Sequence, residues 1–342
     1  MGVVRLFLAL AVVAGHCNSK IFGLNWPPAF AAVNFFFIIS GFYMSMVLNT
    51  KYKKVPVTKF YISRALRIFP IYYLGILLMF IVKQHQITDF FMGLNGPSRI
   101  YQFLSNIFIF GQELPYIYCF KDNLGVCAPA ANMTINPPAW SLSVELGFYL
   151  IAPFIVRSSK YLISYLFIGI LYTLSLNAIT FPIPTNSFLS TGSLSSFNYI
   201  FYPASFMFFG IGALAYRLKN NLTTPKYIVT LIGLGTMTFL KLNMPFWEPI
   251  IFALALPSLF EYTKNSSLDK FIGDTSYPVY ILHFPILIFI GGLEPSLKYL
   301  SPGNLVAITS IVFAILCNFF IEKPINRVRA KLSKFYAKEL LQ

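Results

Sequence analysis

The chain has 342 residues, of which 57% are hydrophobic, 18% aromatic and 11% charged. A soluble domain carries about 25% charged residues, so the composition excludes an ordinary soluble protein and points to a polytopic α-helical membrane protein. The net charge of +15 does not indicate a nucleic-acid partner, because the basic residues sit in short loops between apolar runs, where the positive-inside rule accounts for them.

Apolar runs recur over 3–24, 29–49, 68–83, 138–156, 161–180, 199–216, 227–243, 248–263, 276–293 and 304–321. They predict an all-α fold of about ten transmembrane helices in one integral-membrane domain, 1–342. Most of the 26 Lys and Arg residues then fall on one side, which places both termini in the cytoplasm and the chain, multi-pass, in the cell (inner or plasma) membrane. The first run lacks a small-residue cleavage site and carries Arg5 and His16, so it does not read as a cleavable signal peptide. The longest stretch between spans, about 84–137, lies outside. Its short apolar run SNIFIF (105–110) cannot span and reads as an interfacial or re-entrant element. Cys119 and Cys127 share this loop, where an oxidising compartment would allow a disulfide. Asn132-Met133-Thr134 is a glycosylation sequon.

Four constellations carry the chemistry. In RLFLALAVVAGH, Arg5 and His16 are eleven residues apart, about 16 Å along one helical face. Arg5 sits at the cytoplasmic edge. His16 is carried into the membrane, where an ionisable group usually faces a cavity. In KFYISRALRIFP (59–70), Arg64 and Arg67 are neighbours at i, i+3, a spacing suited either to a phosphate-bearing ligand or to lipid phosphate. Pro70 is a place for a bend. In NPPAWSLSVELGFYLIAP (136–153), Glu145 lies about two turns inside the outer end and shares a face with Ser141 and Phe148. A carboxylate there needs a partner; His16 is at a compatible depth, and a serine or tyrosine on a neighbouring helix is the alternative. In GDTSYPVYILHFPI (273–286), Ser276, Tyr280 and His283 align on one face, with Pro278 and Pro285 as sites for kinks. Ser40 and Gly41, amid the aromatics of FFFIISGFYMS (35–45), suit close helix packing.

With these residues laid out, the sequence resembles the acyltransferase-3 family of integral-membrane acyltransferases. The matching pieces are Arg5 with His16, FFFIISGF (35–42), RALR (64–67), WSLSVELGFY (140–149), SYPVYILH (276–283) and IEKP (321–324). The resemblance implies a ten-helix core, an acyl-CoA donor (acetyl-CoA above all), no metal, and transfer of the acyl group to a hydroxyl of a cell-envelope sugar. That acceptor would be a lipopolysaccharide O-antigen, an exopolysaccharide or a lipid-linked oligosaccharide. It also implies that His16 is the catalytic histidine, with Glu145 beside it, and that Arg5, Arg64 and Arg67 bind the donor from the cytoplasm. Ser40, Trp140, Ser141, Tyr149 and His283 are then the candidates for contacts to the substrate. Many relatives carry an additional SGNH-type hydrolase-like domain, and none is expected within 1–342.

On this reading, Arg5, Arg64 and Arg67 clamp the phosphates of coenzyme A, and its acyl arm threads towards His16. His16 acts either as general base on the sugar hydroxyl or as the acyl carrier. Partners besides acyl-CoA and the glycan are membrane lipid and, through large apolar outer faces, a second copy in a homodimer. The rival reading is a transporter or exporter of an envelope component, with Arg5, His16 and Glu145 as a proton relay.

Overall fold

The computed structural model describes residues 1–178, 193–219, 247–293 and 301–339. Its helices, in chain order, are α1 (Gly2–Cys17), α2 (Ala29–Asn49), α3 (Val57–Gly93), α4 (Gly96–Phe108), α5 (Ala130–Met133), α6 (Ala139–Ile155), α7 (Ser159–Ala178), α8 (Ser193–Tyr199), α9 (Phe206–Arg217), α10 (Trp247–Thr263), α11 (Ser267–Leu293), α12 (Pro302–Cys317) and α13 (Lys323–Glu339).

Among the described residues, five helices are long and apolar enough to cross a membrane: Ala29–Asn49, Val57–Gly93, Ser159–Leu176, Ser267–Leu293 and Pro302–Lys331. The protein is therefore all-α and multi-pass, but the ten spans expected from the sequence are corrected to about five. The reason is that an apolar run is not a helix of the same length, and a span needs about 20 helical residues. The run at 3–24 yields only α1, because Asn18 adopts the left-handed conformation (φ 45°, ψ 40°) and closes the helix. The run at 199–216 is divided between a 3₁₀ turn, Tyr202–Ser205, and the 12-residue α9. Helices α6 and α10 have 17 residues each. The expected span at 227–243 lies outside the described residues. With ten no longer the count, the even number that put both termini on one side falls with it.

In lipid, helix association draws little on hydrophobic transfer, so close backbone approach at small residues decides which helices pair. Helix α2 meets α9 in this way: a Cβ on Gly41 would run into the Phe209 carbonyl oxygen, and one on Gly212 into that of Ile38. Around this contact Phe37, Phe148 and Phe209 stack with ring centroids 4.8 and 4.2 Å apart. Helices α1 and α11 run side by side in the same direction. Gly2 touches Gly273 at one end, and His16 meets His283 at the other. Asp269 at the start of α11 accepts the backbone N–H groups of Gly2 (2.7 Å) and Val3 (3.0 Å), satisfying free donors at the start of α1.

Helix α3 continues through Pro70 and leaves helical geometry at Lys83 (φ −131°, ψ 29°). Its last carbonyls, on Phe91 and Met92, accept from the Arg99 guanidinium at 3.1 and 2.8 Å. Helix α4 leaves Ile100, Phe103, Leu104 and Phe108 exposed, a stripe at i, i+3, i+4 and i+8 that suits the membrane interface. Cys119 and Cys127 form a disulfide across the loop that follows.

Candidate active site

Five basic side chains converge on one cavity of about 300 Å³: Arg5 from α1, Lys51 beyond α2, Arg64 and Arg67 from α3, and Arg329 from α13. Among the described residues a single carboxylate, Glu145, lines it with them. The ion pairs among the described residues involve none of the five. Arg64 is only 6% exposed. Its guanidinium lies 5.6 Å from the Phe60 ring and 5.9 Å from the Tyr149 ring, yet its Nε has no hydrogen-bond partner among the described residues. A buried cation left short of acceptors is costly unless an anion joins it. The cavity thus has the charge and the buried donors of an anion-binding site.

Arg329 escaped the sequence reading. It lies in a polar C-terminal segment that reads as positive-inside charge. Only the fold shows that the helix runs on from α12 through the π-helical turn Asn318–Glu322, which includes the start of IEKP, into α13, which packs against α3. There Arg329 donates to Ser63 Oγ at 3.2 Å and to Asn326 Oδ1 at 2.6 Å.

Glu145 sits with the arginines. Its Oε1 accepts from Ser40 Oγ at 2.7 Å and from the Tyr149 hydroxyl. Ser40, Ser141 and Tyr149 line the same cavity, whereas Trp140 packs edge-on against Tyr199, with centroids 5.0 Å apart. Of the partners weighed for Glu145, the structure supplies a serine on a neighbouring helix, Ser40 of α2, joined by Tyr149 of its own helix.

His16 has a different partner. Its Nδ1 is 2.8 Å from Nε2 of His283, which is fully buried, and the two rings stack at 5.0 Å. His283 Nδ1 lies 2.7 Å from the Tyr280 carbonyl oxygen. A carbonyl can only accept, so His283 Nδ1 carries a proton. With neutral His283, Nε2 is then the acceptor, His16 Nδ1–H is the donor, and His16 Nε2 keeps its lone pair. Between the histidines and the cavity stands Tyr280, whose hydroxyl is 2.7 Å from Ser141 Oγ and whose ring centroid is 6.3 Å from that of His283. Among the described residues, no three His, Cys, Asp or Glu side chains are grouped so as to hold a metal ion.

A cation-lined cavity beside a polarised histidine, within a multi-pass helical membrane protein, has the parts of a membrane acyltransferase. The chain belongs to the acyltransferase-3 family: the family model, described as an acyltransferase domain, matches residues 1–323. Among curated proteins it is similar to the O-acetyltransferase OatA of Staphylococcus aureus (strain MRSA252), 24% identical over 380 aligned positions that cover 99% of this chain and 58% of the relative. It is also similar to the peptidoglycan O-acetyltransferase OatA of Listeria monocytogenes serovar 1/2a, 27% identical over 154 residues, or 44% of this chain and 22% of the relative. The chain thus spans little more than half the length of the first of these relatives, and less of the second. No solved structure matches it.

Proposed function

We propose that this protein is an acetyl-CoA-dependent O-acetyltransferase that modifies a hydroxyl of a cell-envelope glycan. The observation that carries the reading is the cavity in which five cations face one carboxylate, with Arg64 buried and short of acceptors. Coenzyme A bears a pyrophosphate and a ribose phosphate, and forked guanidinium groups match phosphate oxygens in pairs. The arginine end faces the cytoplasm, where basic residues are retained and acyl-CoA is made. The domain that does this work is 1–342, which holds the family match at 1–323 and Arg329 beyond it.

In this scheme the phosphates are held by Arg5, Arg64, Arg67 and Arg329, and the acyl arm passes inward to the Ser141–Tyr280 pair. Those two hydroxyls are the donors for the oxyanion that develops on the thioester carbonyl. His16 Nε2 takes the proton from the sugar hydroxyl as its oxygen attacks that carbonyl. Collapse of the tetrahedral intermediate expels the coenzyme A thiolate, which takes the proton from the His16 imidazolium. His283 contributes by holding His16 in the one tautomer that exposes Nε2. Glu145, bonded to Ser40 and Tyr149, orders the cavity wall and tempers its positive charge.

The test is transfer in proteoliposomes, with labelled acetyl-CoA supplied at the arginine end and envelope glycan supplied at the other. Labelled O-acetyl ester in the glycan with wild type, and none with His16→Ala, is the expected result. Coenzyme A release and glycan labelling that both survive His16→Ala would remove His16 from the chemistry. Absence of any turnover by wild type would overturn the reading.

A further inference from the structure

Helix α11 orders the molecule's cavities along one line. Asp269 to Asp274 border a basin next to Arg5 and Arg67, Ser276 to Tyr280 line the arginine cavity, His283 meets His16, and Phe284 opens onto a third cavity. From Asp274 to Phe284 is about 15 Å of helix. The third cavity, about 170 Å³, is therefore separated from the donor cavity by the histidine pair. Phe284 joins it to the chemistry, since its ring meets the His16 ring edge-on with centroids 5.8 Å apart.

This groove lies between the break in α3 at Lys83 and the turn that precedes α6. Its polar lining is Lys83, Gln86, Asn132 and Thr134, and its aromatic lining is Phe90 and Phe284. Amide and hydroxyl groups beside aromatic faces match the edges and faces of a sugar ring, and the rest of the lining, Met79, Ile87, Ala131, Ile135 and Pro137, is apolar. Among the described residues Lys83 is the one charged group in the lining, and no carboxylate faces it there. Its ammonium makes no ion pair among the described residues. The wall is set in advance: Arg99 holds the end of α3, and an isolated bridge between Leu94 and Asp122 ties that end to the loop closed by the Cys119–Cys127 disulfide.

The geometry points to this groove as the acceptor site and to an acidic sugar, one bearing a carboxylate, as its ligand. A single ammonium among neutral donors balances one negative charge, whereas the doubly charged phosphates sit on the arginine side. The inference rests on the acyltransferase reading and adds the acceptor's class to it. The hydroxyl to be acylated projects past Phe284 to His16 Nε2, and the carboxylate is held by Lys83.

The probes are a uronic-acid oligosaccharide and the same oligosaccharide with its carboxylates reduced to alcohols. Wild type, Lys83→Ala and Lys83→Arg are assayed for acetyl transfer to each and for the KM of acetyl-CoA. The expected result is a lower KM for the acidic probe with wild type, raised about 10-fold by Lys83→Ala and restored by Lys83→Arg. The KM of the neutral probe and that of acetyl-CoA stay unchanged. Equal use of both probes by wild type, an equal loss on both in Lys83→Ala, or coenzyme A release with transfer to neither probe would overturn the acidic-sugar assignment. Failure of wild type to release coenzyme A at all would instead overturn the acyltransferase reading beneath it.

Discussion

His16 and His283, 267 positions apart in sequence, share a hydrogen bond of 2.8 Å, and the Tyr280 carbonyl behind His283 fixes its direction. His283 is a positioning residue on this account. His283→Ala leaves His16 free to take the wrong tautomer, and kcat for transfer should fall about 100-fold or more while the KM of acetyl-CoA holds. Gln at this position offers an amide oxygen near the place of Nε2 and should restore much of the rate. Equal inactivity in His283→Ala and His283→Gln, with altered donor KM in both, would make the residue a packing element instead.

The approach of α13 to α3 gives a second expectation. Arg329 lines the donor cavity from a segment remote in sequence from Arg64 and Arg67. Arg329→Ala should raise the KM of acetyl-CoA about 10-fold with a smaller change in kcat, because the phosphate contact is present in ground and transition states alike. Steady-state kinetics with acetyl-CoA varied would measure it. A donor KM equal to that of wild type would remove Arg329 from the clamp.

The reach of the sequence is clear from these residues. Arg5, Arg64, Arg67 and Glu145 stood out because charge inside or beside an apolar run is costly and therefore conspicuous. Arg329 did not, since a cation in a polar segment costs nothing and is found only when the fold returns it to the cavity. The two partners of Glu145 were open from depth alone; depth says how far along a helix a group lies, not which helix faces it. Span counting erred for a related reason. Hydropathy registers apolar residues such as those at 199–216 without registering the 3₁₀ turn at Tyr202–Ser205 that interrupts them.

Glu145 also separates two accounts of the site by its pH behaviour. Its Oε1 is committed to Ser40 and Tyr149, on the donor side of Tyr280. Glu145→Gln keeps an acceptor for both hydroxyls and removes the one carboxylate that lines the cavity among the described residues. The pH–rate profile of transfer should stay where it is, and the KM of acetyl-CoA should fall about 3-fold as repulsion of the phosphates is relieved. A shifted profile with unchanged donor KM would return Glu145 to the company of His16.

The α2–α9 contact allows a stability test that does not involve chemistry. At Gly41 an added methyl meets backbone, the Phe209 carbonyl, and no side chain can rotate away. Gly41→Ala should cost about 1–3 kcal/mol through separation of the two helices, read as a lower Tm in detergent micelles. Gly212→Ala strains the same contact from the opposite helix, so the double variant should lose less than the summed losses of the single ones. Full additivity would mean that the two glycines act at independent contacts.

Glu113, beyond the end of α4 and outside the spans, is 9% exposed, and its Oε2 has no hydrogen-bond partner among the described residues. Burial holds its carboxyl above the usual value near 4.5, with Ser143 pulling partly the other way through a hydrogen bond. Below that usual value both folded and unfolded forms are protonated, and the group has no effect on stability. As the pH rises through it, the unfolded chain releases its proton while the folded one keeps it. Stability therefore declines until the folded carboxyl also ionises, and is level above that point. The backbone N–H groups of Gly111 and Gln112, both donated to Ser143 Oγ, report on this region. Their protection from hydrogen exchange, corrected for intrinsic rate, should weaken over that window in wild type and stay flat in Glu113→Gln. The same slope in both proteins would show that Glu113 is not the group being titrated.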